Sequence, residues 1–238
     1  MSLAIFDFIN SILLPKYCIL CGTQGQYICT NCLKIKFKVN FNDICHVCGN
    51  VTFTKRLHKE CEDSTNLNKL FFFCEYNLAS KRLIEEIKYK GNYAIIEDLA
   101  LHMSKYLQFK VKNINTTDFI VTSVPSHIFK KNQRGFNQSE LLARKVAGLL
   151  GFEYKTLLKK NKNTKKQAGS TKNSRSQNLR DTFSAKIENV SKNVIIIDDV
   201  HTTGSTLNEC AGILAKVGAK TIYGYTFAKS LNYSSARA

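Results

Sequence analysis

Seven cysteines crowded into residues 18–61 limit what the first quarter of this chain can become. They read "CILC" (18–21), "CTNC" (29–32), "CHVC" (45–48) and then Cys61. A Cys-x2-Cys pair puts two thiolates on one tight turn, close enough to share a tetrahedral ion. Gly22 and Gly49 follow two of the pairs, as such a turn prefers. The opening "LAIFDFINSILL" is short, contains Asp7 and has no basic run before it, so it is a poor secretory leader. Disulfides are then the weaker explanation and bound Zn2+ the stronger one. Sequential pairing puts Cys18, Cys21, Cys29 and Cys32 in one site and leaves Cys45, Cys48 and Cys61 short of a fourth ligand. Ser64 stands where a last Cys-x2-Cys would close and is a poor ligand. His58 and His46 are the candidates, His58 the better placed. An interleaved pairing and an empty second site both stay open on spacing. Either way the metal is structural, replacing a core that about 50 residues cannot supply.

From residue 69 the pattern changes. "KLFFFCEY", "DFIVTSVP", "NVIIID" and "KTIYGYTFA" read as strands. Between them run amphipathic helices over 78–91, 93–108, 137–151 and 205–218, three of them stopped by a glycine. Cys74 and Cys210 fall on apolar faces and read as core residues. This predicts an α/β fold, a parallel sheet flanked by helices, over 69–230, preceded by a small cysteine-rich unit over 17–66. Ile5, Phe8, Ile9, Ile12 and Leu13 share one face of an amphipathic helix over 1–16 that Pro15 stops. No apolar run approaches the roughly 20 residues of a membrane span. In an open parallel sheet, ligands bind beyond the carboxyl ends of the strands. The loops at 88–92, 125–136 and 198–206 and the long insertion at 155–182 are therefore the places to look.

"VIIIDDVHTTGST" supplies the chemistry there. The strand delivers Asp198 and Asp199 to the sheet edge. Thr202, Thr203, Gly204, Ser205 and Thr206 then turn into a helix. Backbone amides at a helix start, helped by hydroxyls, hold a phosphate dianion, and a glycine lets the backbone approach it. There is no Gly-Lys-Ser/Thr and no Gly-x-Gly-x-x-Gly, so neither nucleoside-triphosphate nor dinucleotide loops are present. Two carboxylates beside a phosphate pocket suit a ligand with vicinal hydroxyls a few ångströms from its phosphate, as in ribose 5-phosphate.

The same stretch resembles the signature of type I phosphoribosyltransferases, which bind 5-phosphoribosyl 1-diphosphate (PRPP). With "EEIKYKGN" (85–92), "RGFNQS" (134–139), "KQAGSTKNSRSQNLRDTF" (166–183) and the cysteine-rich start, nearly the whole chain resembles the ComF family of ComFC competence proteins and GntX-like relatives. The resemblance implies a double-zinc-ribbon-like head and a type I phosphoribosyltransferase-like domain. It implies that Asp198 and Asp199 hold the ribose hydroxyls, that residues 202–206 hold the 5-phosphate, and that Mg2+ arrives with PRPP. Lys88, Lys90 and Gly91 lie at the loop suited to diphosphate. Arg134, Asn137 and Gln138 are expected to add phosphate or polar contacts. Gln167, Arg175 and Asn178 match family positions in a flexible loop that closes over PRPP. His201 occupies a variable position and is given no role.

Net charge is +17, but 28 of the 35 basic residues are lysines, a general solubility signal as much as a binding one. From Tyr154 to Arg180 there are nine basic residues and no acidic one. This loop fits closure over PRPP and backbone contact with single-stranded DNA. The family resemblance implies a cytoplasmic protein of DNA uptake in natural transformation, binding incoming single strands and working with a helicase partner. A metabolic phosphoribosyltransferase is the alternative, and a PRPP-sensing binder without turnover a third reading.

Overall fold

A computed structural model of the chain describes residues 15–52, 57–111, 115–126, 135–161 and 182–230. The helix expected over 1–16 falls almost wholly outside these residues. So do Arg134, Gln167, Arg175, Asn178 and all but the ends of the basic stretch 155–182.

The cysteine-rich head is built from two like turns. Cys18 N–H donates to Thr23 O and Gly22 N–H returns to Cys18 O, both at 2.8 Å. Cys45 and Gly49 repeat the pattern with Asn50 O at 2.8 Å and Cys45 O at 2.9 Å. Gly22 and Gly49 have φ of +76° and +82°, the left-handed conformation that a side chain resists and that turns the chain back after the second thiol. Cys29 caps the short helix α1 (Thr30–Lys36), its sulfur accepting from Cys32 N–H. Residues 38–40 lie along the outer edge of strand β1 (Lys69–Glu75), with Asn40 N–H on Phe73 O and Glu75 N–H on Lys38 O. An exposed strand edge invites pairing with another chain, and here the head covers it.

After β1 come α2 (Leu78–Lys90), α3 (Ala94–Lys110), β2 (Phe119–Ser123), α4 (Gln138–Leu150), β3 (Glu153–Tyr154) and the short antiparallel pair β4 (Leu158–Lys160) and β5 (Phe183–Ala185). β6 (Asn193–His201), α5 (Ser205–Lys216) and β7 (Ile222–Lys229) complete the chain. Five strands form one parallel sheet in the order β1-β7-β6-β2-β3. The strands are apolar on both sides because both faces are covered. Ile195 and Ile197 pack with Phe71, Phe73, Phe227 and the inner residues of α2, α3 and α4. Val194 and Ile196 point the other way, to Leu70, Leu207, Cys210, Ala211 and Leu214 under α5. Cys74 and Cys210 are fully enclosed in these two cores.

One element runs further than the sequence pattern predicts, and another ends where it predicts. β6 does not stop at its first aspartate: Val200 and His201 continue the ladder against Ala228 and Lys229. Helix α2 keeps the bounds expected from its pattern and its glycine stop. Asn77 caps its start through Ala79 and Ser80 N–H, Ser80 Oγ accepts the reciprocal bond from Asn77 N–H, and the helix continues to a left-handed Gly91. Such a cap contributes about 1 kcal/mol. Lys88 and Lys90 therefore stand in a helical last turn, not in a loop.

Candidate functional site

Because side chains alternate across a strand, the two aspartates on β6 face opposite layers. Asp199 follows Ile195 and Ile197 on the side of α2, α3 and α4; Asp198 follows Val194 and Ile196 on the α5 side, but its carboxyl still reaches the first turn of α4. Asp198 Oδ1 accepts from Ser139 Oγ at 2.8 Å and from Asp199 N–H at 2.9 Å. Desolvation, and then the neighbouring charge of Asp199, push its carboxyl well above the ordinary carboxylate range. Asp199 is ion-paired with Lys88, both side chains largely covered. Ile84, Ile87, Ile96, Leu99, Leu142 and Phe227 make an apolar floor beneath that pair. The Gln138 side chain also lines this floor, with its Oε1 buried and without a hydrogen-bond partner among the described residues.

Three residues past Val200 the chain makes the turn into α5. Thr202, Thr203, Ser205 and Thr206 are exposed. Thr203 Oγ1 and Ser205 Oγ lie 3.0 Å apart. Gly204 caps α5 with φ +77° and no side-chain cap bond, and Ser205 N–H reaches Thr203 Oγ1 at 3.5 Å, so the start of α5 lies among a cluster of exposed hydroxyls. A Cβ at Gly204 would sit 2.5 Å from Nε2 of His201, whose ring is buried beneath the turn. Burial, and then the charge of Lys229, bring His201 down to about 4, so its imidazole is neutral at physiological pH.

The other expected ligand residues divide. Lys88 is drawn into the site by Asp199. Lys90 is exposed and paired with Glu86 at 2.7 Å, one turn back along α2. Gly91 ends that helix, with Tyr93 lying across it. Asn137 does not reach toward a ligand: it is buried, and its Nδ2 donates to Val124 O at 3.1 Å, tying the end of β2 to the start of α4. Ser139 is the residue the sequence reading passed over. It stands directly after Asn137 and Gln138 in "RGFNQS", but nothing local shows that its hydroxyl meets Asp198.

The cysteines gather in sequence order. Sγ atoms of Cys18, Cys21, Cys29 and Cys32 lie within 4.8 Å of one another, as do the ligand atoms of Cys45, Cys48, His58 and Cys61. His58 Nδ1 is 3.2 Å from Cys48 Sγ, whereas His46 turns away to Thr65 Oγ1 at 3.3 Å. The interleaved pairing is not the one adopted. Hydrogen bonds from Thr23 bring the Cys21 thiol down to about 6, while burial and neighbouring thiols push Cys32 up to about 12. In the second group burial opposes ionisation of Cys45, but backbone N–H groups of Cys48, His58 and Val47 bring it down to about 6; burial and the adjacent thiols raise Cys61 to about 11. Four crowded thiols cannot all ionise unaided; a divalent cation makes that possible. Both groups fit a metal ion in number, type and spacing.

Residues 135–234 match the family model for a phosphoribosyl transferase domain. The chain is 27% identical to competence protein F of Haemophilus influenzae over 226 residues, covering 90% of this chain and 85% of that protein. It is 25% identical to competence protein ComFC of Bacillus subtilis, covering 90% and 95%. Over most of its length the chain is similar to these competence proteins. It also overlaps a solved adenine phosphoribosyltransferase at TM-score 0.39 and 21% identity, over 63% of this chain and 79% of that one. Its parallel sheet is the type I phosphoribosyltransferase architecture, preceded by a zinc-ribbon-like cysteine module. Among the described residues no helix is long and apolar enough to cross a membrane.

Proposed function

We propose that this chain is a ComF-family protein that binds PRPP with Mg2+ at the carboxyl edge of its sheet and engages single-stranded DNA during DNA uptake. The observation that carries the ligand is the order of groups along one segment. Two carboxylates on β6 lead within four residues to an exposed Thr203–Gly204–Ser205 turn at the start of α5. The turn receives the 5-phosphate and the carboxylates receive the ribose hydroxyls. Lys88, beside Asp199, is assigned to the diphosphate. Mg2+ would arrive with the ligand and offset the charge of its diphosphate. Arg134 and the loop residues Gln167, Arg175 and Asn178 are assigned to the same ligand on family resemblance. In this reading residues 17–66 form the head, held by zinc in both cysteine groups, residues 69–230 form the ligand domain, and the protein works in the cytoplasm with a helicase partner.

The DNA part is supported by the competence names of its relatives and by the basic insertion. A gel shift on single-stranded DNA with and without PRPP·Mg2+, beside calorimetry of PRPP binding, tests both halves. Micromolar PRPP binding and DNA retention that falls steeply with salt are expected. Absence of PRPP binding removes the ligand assignment; absence of retention at low salt removes the DNA assignment. The intact carboxylate pair also favours a second reading, transfer of phosphoribose to an acceptor. Release of diphosphate when candidate amines or bases are added would establish it.

A further inference from the structure

The second cysteine group lies against the turn assigned to phosphate, and two separate runs of contacts join them. The first passes through Lys229, the last residue of β7. This lysine is only 5% exposed. Its Nζ donates to the His46 carbonyl at 3.4 Å, inside the Cys45–Cys48 knuckle, and lies 5.5 Å from the centre of the Phe72 ring. Lys229 is paired in register with His201, and Ser230 N–H closes that end of the ladder on His201 O at 2.9 Å. The His201 ring in turn occupies the space directly under Gly204.

The second run passes through Asn208 in the first turn of α5. His46 Nε2 meets Thr65 Oγ1 at 3.3 Å, and Thr65 Oγ1 donates to Asn208 Oδ1 at 3.1 Å. Asn66 N–H donates to the same oxygen at 2.6 Å. Asn208 N–H then donates to Gly204 O at 2.9 Å. Thr65 directly follows the 3₁₀ turn Lys59–Ser64 that carries Cys61. Both runs leave the second cysteine group at His46 or Cys61 and both end at Gly204.

The charges bear on why a lysine is buried here. Three thiolates and a neutral imidazole around a divalent cation would carry one net negative charge. That charge would add to the His46 carbonyl and the Phe72 ring in offsetting the desolvation of the ammonium. The first cysteine group is held differently: Tyr27 and Ile28 N–H donate to Asp98 on α3, at 2.8 and 3.3 Å. No such run to residues 202–206 is found for it among the described residues.

We propose that Lys229 is a positioning residue that ties the metal-loaded second cysteine group to the phosphate turn, so that filling this group, and not the first, sets the affinity of the turn for a sugar phosphate. This rests on the reading of residues 202–206 as the phosphate site.

The test uses the full chain with its metal content measured. Ribose 5-phosphate affinity is read by calorimetry and the rigidity of residues 202–206 by amide hydrogen exchange. Lys229→Met should weaken ribose 5-phosphate about tenfold and speed exchange at 202–206, with Lys229→Arg recovering most of both. Asn208→Ala, which cuts the second run from the surface side, should give the same two changes at about threefold. Cys21→Ser, in the first group, should leave affinity and exchange at the turn unchanged while lowering the melting temperature. If Lys229→Met does not fold, Asn208→Ala carries the test alone. Wild-type affinity and exchange in the folded Lys229 and Asn208 variants overturn the proposal. If the wild-type protein binds no ribose 5-phosphate at all, the phosphate reading fails. Faster exchange at 202–206 in Lys229→Met would then still support the physical tie, and unchanged exchange would end it.

Discussion

The two faces of the sheet each present one carboxylate at the same edge, and they hold it by different means. Asp198, on the strand side that faces α5, is met by neutral donors, the Ser139 hydroxyl at the start of α4 and a backbone amide. On the opposite face, Asp199 sits over an apolar floor with one cation, Lys88. Neutral donors fix a carboxylate without satisfying its charge. An ammonium satisfies it, and a ligand that competes for that carboxylate must displace the ammonium. The difference divides the work: the Asp198 face is set before a ligand arrives, whereas the Asp199 face must rearrange.

The sharpest way to break the preset face is at its turn. Gly204→Ala forces a side chain into a φ of +77° and against a buried ring 2.5 Å away. Strain of this kind costs about 2–3 kcal/mol, or about 5–10 °C of melting temperature in a chain this size. Ribose 5-phosphate affinity should drop at least about a hundredfold, because the amides of the turn are displaced from the anion. A Gly204→Ala protein that melts and binds as wild type does would show that the turn is not rigid and that the contrast between the faces is false.

Much of this arrangement was legible in the chain, because it follows from period and punctuation. The apolar run Val194–Ile197, the glycine in "TTGST" and the helical spacing of Leu207, Cys210, Ala211 and Leu214 are local signals, and each element formed where they pointed. What was not legible depends on partners distant in sequence. Nothing near Lys88 announces that α2 will carry it to Asp199. Nothing near Asp198 and Asp199 announces that β7 is long enough to keep them inside a strand. The spacing already favoured His58 over His46 as the fourth ligand, and the structure agrees, but the contact that holds His46 away, Thr65 docked on Asn208, is not visible locally. Asn137 looks like a ligand residue in "RGFNQS", yet the end of β2 claims it.

The next largest effect belongs to the rearranging face. Asp199→Asn should weaken PRPP about thirtyfold, since it removes a carboxylate and leaves Lys88 enclosed without its counter-charge. Lys88→Met separates the two roles of the lysine. Ribose 5-phosphate, which has no diphosphate, should bind about threefold more tightly because nothing competes for Asp199. PRPP should bind about tenfold more weakly because its diphosphate loses a cation. Calorimetry on the two ligands reads this directly. Equal changes for both would mean that Lys88 does not exchange one partner for another.

The smallest effect, and the most specific to Asp198, is in its pH dependence. Its native carboxyl is held above the ordinary range, so between about pH 4, where the unfolded residue ionises, and its higher native value, the folded state binds a proton that the unfolded state has released. Stability from this group is therefore lost as pH rises through that window, and is level below and above it. Asp198→Asn keeps an acceptor for Ser139 and for the amide but removes the charge, so it should flatten that slope without lowering the melting temperature. Ligand binding runs the other way, because hydroxyls need the ionised carboxylate and affinity gains as pH rises. Ser139→Ala removes a bond that favours ionisation and moves the native value further up. The variant should lose affinity for ribose 5-phosphate a few-fold at the acid end of the range and recover toward wild type as pH rises. Taking the ratio of variant to wild type at each pH cancels the phosphate's own titration. A ratio that stays flat across the range would place the Ser139 bond outside the ionisation of Asp198 and make the two carboxylates equivalent after all.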